Sequence, residues 1–289
     1  MTRPAKKLIM ISVLVTLILT PLAGAQDDAC ELAIYQSNQT AASGNMARAV
    51  ALIDSAIAEN PVYPPLFTQR GILNGRQGKY QEAVDDFGRA VLLDPKFAEA
   101  YYSRGLAFGH LGKRQEAIQD YGRAIELKSD YAQAYFNRGV LYFKMGNYLL
   151  AVDDYTRAIE INPNYDIAFY NLGVLQERQA NDDLAIQSYS RAISLNPNNK
   201  NAFYNRGTLY IRKQDYEKAR DDFIKSVAID STYAMALYGL GNTYEYISDL
   251  DKALEAYTKY LRHADPSDSI RIAKVKAKLP DIKKFRDKR

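Results

Sequence analysis

Residues 132–165 read AQAYFNRGVLYFKMGNYLLAVDDYTRAIEINPNY, and this pattern returns every 34 residues. Its fixed point is Gly139. Glycines also stand at 71, 105, 173, 207 and 241, and each is followed twelve residues later by an alanine, at 83, 117, 151, 185, 219 and 253. Four residues before the glycines stand Phe67, Tyr101, Tyr135, Phe169, Phe203 and Leu237; sixteen after them stand Phe87, Tyr121, Tyr155, Tyr189, Phe223 and Tyr257. Pro95, Pro163 and Pro197 fall twenty-four after their glycines, and Ser129 and Ser231 take that place in two other repeats. A period of roughly 20 to 50 residues is the signature of a stacked repeat array.

The fixed residues share one physical reading. Glycine and alanine remove side-chain bulk, so two antiparallel helices approach closely; rings fill the space between them, and proline or serine stops the second helix. Each repeat is therefore expected to be a helical hairpin, with six occupying 64–97, 98–131, 132–165, 166–199, 200–233 and 234–267. A worn copy precedes them at 30–63, where Ser37 replaces the glycine while Ala49, Ala56 and Pro61 keep their places. As a terminal repeat it is expected to cap the array. At the far end Ile272, Val275, Leu279 and Ile282 follow a helical stripe, interrupted at Pro280. Residues 268–289 thus read as a basic capping helix and tail whose apolar face covers the last repeat.

This period, with its glycines, alanines and rings, resembles the tetratricopeptide repeat (TPR) family over nearly all of the chain beyond the N-terminal segment. The resemblance implies an all-α fold: a right-handed superhelical solenoid of antiparallel helix pairs. It also implies a non-catalytic scaffold that binds an extended peptide or protein partner in a concave groove lined by the first helix of every hairpin.

On that expectation, residues three before the glycines enter the groove together: Tyr102, Phe136, Tyr170, Tyr204 and Tyr238, with Thr68 in the first full repeat. Tyrosine joins a large ring to a polar tip, which suits an interface. Two before the glycine stand Asn137, Asn171 and Asn205, a row resembling the asparagine ladder in the TPR region of O-linked GlcNAc transferase. An amide offers both a donor and an acceptor to a peptide unit. Five after the glycine stand Arg76, His110, Lys144, Arg178 and Arg212. These read either as a basic edge favouring an acidic segment or chain terminus, or as solvated helix ends where cations suit the dipole. The lysine of the Hsp70/Hsp90 carboxylate clamp is replaced by Tyr or Phe, so a chaperone C-terminus is not the expected ligand. An envelope glycan stacking on the tyrosines is the alternative occupant.

Other repeated residues read as structural. Arg70, Arg104, Arg138 and Arg206 directly precede their glycines, and their repeats carry Asp86, Asp120, Asp154 and Asp222 sixteen residues later. Where the position holds Gln36, Leu172 or Leu240, the matching residue is Leu52, Ser188 or Ala256. This variation in step predicts an Arg–Asp bridge within each hairpin. Asp85 with Arg89, Asp153 with Arg157 and Asp221 with Lys225 have the spacing of i,i+4 pairs. Gly78-Lys79 and Gly112-Lys113 belong to turns and lack the strand context of a phosphate loop.

Composition narrows the function classes. A charged fraction of 25%, a hydrophobic fraction of 47% and a single cysteine exclude disordered and disulfide-scaffold classes. Two histidines, His110 and His263, and Cys30 are too few for a His/Cys metal site. No catalytic, metal or cofactor site is expected. Residues 268–289 carry nine bases against three acids, whereas the body from 26 to 267 has 26 bases against 31 acids. A phosphate-binding surface needs clustered positive charge, so nucleic acid is not an expected partner. Arg3, Lys6 and Lys7, the apolar run Leu8 to Leu19, and Ala23-Gly24-Ala25 read as a Sec signal peptide over 1–25. Export to the periplasm or beyond the cell follows, without stable membrane insertion after cleavage. Because Leu8 to Ala25 is 18 residues without a charge, the competing reading is an uncleaved anchor. Cys30 reads as a half-buried residue of the first helix.

Overall fold

A computed structural model describes residues 23–287. The signal-peptide reading falls outside these residues, apart from its last three positions at the start of the first helix. Among the described residues the chain is all-helical. Helices pair in order: α1 (Ala23–Ala42) with α2 (Met46–Glu59), α3 (Pro64–Arg76) with α4 (Tyr80–Leu93), and α5 (Ala98–His110) with α6 (Arg114–Leu127). They continue with α7 (Ala132–Lys144) and α8 (Tyr148–Ile161), α9 (Asp166–Arg178) and α10 (Asp182–Leu195), and α11 (Lys200–Arg212) and α12 (Tyr216–Ile229). The last pair is α13 (Ala234–Tyr246) with α14 (Leu250–His263), followed by the single helix α15 (Ser269–Arg286).

The chain divides into two compact units, residues 1–134 and 135–289. In the first, Cys30, Ala49 and Ile53 of the leading pair pack with Leu66 and Leu73 of α3, while Phe67, Val91 and Ala100 join the next pair to it. In the second, Phe136, Tyr155, Ala168 and Leu175 form one cluster, Tyr189, Ala202 and Leu209 another, and Phe223, Leu237, Tyr257, Tyr260, Val275 and Ile282 a third. Each cluster draws side chains from two successive hairpins, so no hairpin buries its apolar face alone.

The repeated glycine is explained by the ring opposite it. A Cβ at Gly71 would lie 2.7 Å from Phe87, at Gly105 2.8 Å from Tyr121, at Gly139 2.9 Å from Tyr155, and at Gly173 2.8 Å from Tyr189. The same holds at Gly207 against Phe223 (2.9 Å) and at Gly241 against Tyr257 (2.5 Å). In the worn N-terminal pair the facing residue is Ile53, and there Ser37 is accommodated, buried, with its hydroxyl donating to the Ala49 carbonyl at 3.2 Å.

The turn within each pair needs a left-handed residue. Gly44, Gly78, Gly112 and Gly146 supply it at φ of 87°, 76°, 73° and 80°, but Ala180, Gln214 and Ser248 take it at about 60° in the last three pairs. A side chain there costs on the order of 1 kcal/mol. Proline marks the other boundary: Pro95, Pro163 and Pro197 follow the residue that closes α4, α8 and α10.

The Arg–Asp bridges form within their hairpins. Arg70, Arg104, Arg138 and Arg206 each grip both carboxylate oxygens of Asp86, Asp120, Asp154 and Asp222 at 2.6 to 3.1 Å. All four aspartates are buried. In the 166–199 hairpin, which lacks the pair, Ser188 instead donates to Gln176 at 2.7 Å.

Three sequence expectations need correction. Arg157 pairs with Glu160 at 2.9 Å rather than with Asp153, and Asp221 is held by Arg220 at 2.8 Å rather than by Lys225. Cys30 is 4% exposed, fully buried, and accepts from the Asn60 amide at 3.3 Å; burial pushes its thiol pKa up, so it is no reactive surface group. Helix α15 runs through Pro280 without ending, because Val275 and Ile282 on either side are locked into the last hairpin's core.

Two stability predictions follow from these contacts. Gly173→Ala drives a methyl into the buried Tyr189 ring and is expected to cost about 1–3 kcal/mol in urea denaturation. Arg138→Ala leaves Asp154 buried without its cation and is expected to cost about 3–5 kcal/mol. The double variant Arg138→Leu/Asp154→Ser, which copies the pairing at Leu172 and Ser188, should recover most of that loss; equal damage in both variants would assign the effect to packing instead.

Candidate functional site

Nearly all the expected groove residues belong to the second unit, on the face presented by α7, α9, α11 and α13. They stack in a regular way. Each ring three before the glycine tilts on the buried ring of its own hairpin: Phe136 on Tyr155 at 5.7 Å between centroids, Tyr170 on Tyr189 at 5.8 Å, Tyr204 on Phe223 at 5.9 Å, and Tyr238 on Tyr257 at 6.3 Å. A second ring flanks most of them, with Tyr165 against Phe136, Tyr233 against Tyr204 and Tyr260 against Tyr238, at 5.0 to 5.4 Å. In the first unit Tyr102 lies likewise between Tyr121 and Tyr131.

Tyr102, Tyr170, Tyr204 and Tyr238 are half-buried, each with part of its surface open. Phe136 is not: at 8% exposure it belongs to the core, because it has no hydroxyl to keep in water and is enclosed by Tyr155 and Tyr165. Nor are the rings four before the glycine all core residues. Tyr135 and Phe169 are only half-buried, against the guanidinium groups of Arg138 and Arg191. The fully buried rings include those sixteen after the glycine, with Tyr155, Tyr189, Phe223 and Tyr257 at 0–1% exposure, and Tyr260 joins them in the last pair.

The asparagines have a structural task that the sequence reading missed. The Asn205 amide donates to the Tyr189 hydroxyl at 3.3 Å and to the Tyr170 hydroxyl at 3.4 Å. Asn171 hydrogen-bonds the Tyr155 hydroxyl in the same register. A tyrosine buried to this depth must satisfy its hydroxyl, and the next hairpin supplies the amide. The sequence carries the matching signal: Asn stands at 137, 171 and 205, after Tyr121, Tyr155 and Tyr189, but Ser103 and Gly239 follow Phe87 and Phe223. At Gly239 a Cβ would approach the Phe223 ring to 2.7 Å.

Glu177 extends this polar chain. It accepts from Tyr189 at 2.9 Å and from Arg212 at 2.8 Å. Arg212, expected on an open basic edge, also lies 3.4 Å from Asp182 and is therefore neutralised by two carboxylates. Arg178 is exposed and stacks on Phe143 and Tyr148, at 5.3 and 5.9 Å, while Lys144 is exposed. Open positive charge on this edge thus comes from Lys144 and Arg178. Burial raises the tyrosine pKa values along the face: Tyr233 is pushed up to about 12, and Tyr170, Tyr189 and Tyr204 also rise. The face stays uncharged at its tyrosines at neutral pH and works through rings, amides and hydroxyls. Among the described residues no cluster of His, Cys, Asp and Glu could hold a metal ion, and no helix is long and apolar enough to cross a membrane.

The amide–hydroxyl contact is testable by a double-mutant cycle. Asn205→Ala is expected to cost about 0.5–1.5 kcal/mol of stability in the parent and much less in a Tyr170→Phe/Tyr189→Phe background, where neither hydroxyl is left to pair with the amide. Equal costs in both backgrounds would dissociate the asparagine from the tyrosines.

Comparison with known proteins agrees with this architecture. Tetratricopeptide repeat models match residues 132–165, 154–187 and 200–265, and a TPR repeat model matches 76–112, 110–146 and 181–214, so that the matches tile residues 76 to 265. No curated protein matches the chain. Among solved structures, MamA is 26% identical over 55% of this chain and 93% of its own, with a TM-score of 0.52. YrrB, described as a TPR protein with an unusual peptide-binding site, is 24% identical over 64% of this chain and 96% of its own, with a TM-score of 0.56. A tetratricopeptide repeat protein from Parabacteroides merdae is 22% identical over 88% of this chain and 99% of its own, with a TM-score of 0.58. With its 34-residue helical hairpins, their glycine–ring contacts and these matches, the chain belongs to the tetratricopeptide repeat proteins.

Proposed function

We propose that this chain is a non-catalytic scaffold that holds an extended peptide segment of a protein partner on the first-helix face of its second unit, in the cell envelope. The observation that carries the reading is the row of half-buried tyrosines, Tyr170, Tyr204 and Tyr238, running beside Asn171 and Asn205. The Asn205 amide gives both of its hydrogens to the Tyr189 and Tyr170 hydroxyls, and its carbonyl oxygen remains to accept from a peptide N–H. Side chains already immobilised lose less entropy on binding, and a rigid tyrosine offers large contact area with few torsions to freeze. Lys144 and Arg178 beside the row favour an acidic stretch in the bound segment. YrrB's described peptide-binding site gives the reading a precedent within the fold. The envelope part rests on the basic, apolar and small-residue succession of residues 1–25.

Photo-crosslinking tests the surface directly. A photoreactive amino acid placed at Tyr204 or Tyr238 in the expressed protein should capture a discrete partner, identified by mass spectrometry, whereas one at exposed Leu92 on α4 should not. Tyr204→Ala should weaken that partner's binding by about 2 kcal/mol, as expected of an aromatic anchor. Capture from Leu92 alone, or binding untouched by Tyr204→Ala in a folded protein, would move the interface elsewhere.

A further inference from the structure

We infer that the outward face of α15 is a docking surface for an anionic phospholipid layer. Helix α15 carries seven bases and one acid between Ser269 and Arg286. Three of the bases are spoken for: Arg271 by Asp268 at 3.1 Å, Lys278 by Glu245 at 2.7 Å, and Arg286 by Asp287 at 2.6 Å. Lys274, Lys276, Lys283 and Lys284 are exposed, and among the described residues none of them has a carboxylate within ion-pair distance.

The helix buries one side and exposes apolar residues among its lysines on the other. Val275 and Ile282 lock one face into the last hairpin at 0% and 5% exposure. At about 100° per residue, Ile270, Ala273, Ala277, Pro280 and Lys284 run along the opposite face, with Asp281, Lys274 and Phe285 on one flank and Lys276 and Lys283 on the other. Ile270 is 83% exposed and Phe285 61% exposed. Exposed Ile270 and Phe285 interleaved with lysines let the lysine stems lie along an acyl boundary while the ammonium groups reach the phosphates. The exposed Ile270 and Phe285 beside these lysines have no use on a polyanion such as nucleic acid.

Charge distribution orients the contact. Residues 26–267 hold 26 bases against 31 acids, so an anionic surface repels the body and attracts α15. The inference does not depend on what the tyrosine face binds.

Vesicle co-sedimentation of the full chain tests it, using phosphatidylcholine alone and phosphatidylcholine with roughly one-third phosphatidylglycerol. The parent should bind the anionic vesicles in ~0.05 M salt, lose them in ~0.5 M salt, and ignore the neutral ones. A lysine near such a surface contributes about 1 kcal/mol, or about five-fold in affinity, so reversing four should weaken binding at least about fifty-fold. The variant is Lys274→Glu/Lys276→Glu/Lys283→Glu/Lys284→Glu; the matching Lys→Arg set should bind like the parent. Ile270→Ser/Phe285→Ser should weaken vesicle binding several-fold. Thermal unfolding of all variants checks that α15 remains docked. Binding to neutral vesicles unaffected by the Glu set would mean that residues 8–19 alone hold the chain to lipid, and would overturn the proposal. So would tighter binding to single-stranded DNA than to anionic vesicles, or indifference of a folded Ile270→Ser/Phe285→Ser variant.

Discussion

One contact sets the geometry of this molecule: an aromatic ring packed against a glycine of the partner helix. Six times the missing Cβ is occupied by the edge of a phenylalanine or tyrosine sixteen residues on, closer than any real Cβ would tolerate. The distance between the two helices of a hairpin follows from it. So does the exception at Ser37, where Ile53 replaces the ring and a small polar residue fits. Phe223 is pressed by two glycines, Gly207 from its own hairpin and Gly239 from the next, so the contact also regulates how closely successive hairpins approach.

Burying the ring creates a second requirement when the ring is tyrosine. Its hydroxyl goes under with it, and an unsatisfied buried hydroxyl costs on the order of 1–3 kcal/mol. The chain solves this with Asn171 for Tyr155, Asn205 and Glu177 for Tyr189, and Asn242 and Glu245 for Tyr257. The residues on the candidate binding face are therefore placed first by the needs of the core. Their availability to a ligand is what remains of their hydrogen-bonding capacity after the hydroxyls are served. At Asn205 that duty takes both amide hydrogens and leaves the carbonyl oxygen, fixed in place, to accept from a peptide N–H.

The hairpins and the Arg–Asp bridges were legible from sequence because both are written as fixed spacings inside one repeat. Arg138 and Asp154 vary together with their counterparts, and a within-hairpin bridge is the simplest contact that makes them do so. The role of Asn171 and Asn205 was equally written, in the identity of the ring sixteen residues before each, but that contact crosses from one hairpin to the next and is invisible when repeats are aligned on themselves. Phe136 and Arg212 were misplaced for a related reason. Helical periodicity gives the direction of a side chain, whereas its exposure depends on Tyr165 or Asp182 from neighbouring segments. Residues 1–22 and 288–289 lie outside the described structure, so the export reading stands on sequence alone.

The two ends of the described chain meet the same problem with different chemistry. A repeat array must stop, and each terminal hairpin has a face that the next hairpin would have covered. At the start, α1 leaves Leu32 and Tyr35 more than half exposed. At the end, α15 spends one apolar stripe on the last hairpin and needs its other surface to stay in water, which Lys274, Lys276, Lys283 and Lys284 secure. A cap needs only that polarity, and evenly mixed charge would supply it without self-repulsion along the helix. Four lysines without a carboxylate partner beside the exposed Ile270 and Phe285 go further than solubility requires. The unpaired lysines point to an opposite charge outside the chain, while the tyrosine face, built of rings, hydroxyls and amides, points to a peptide segment.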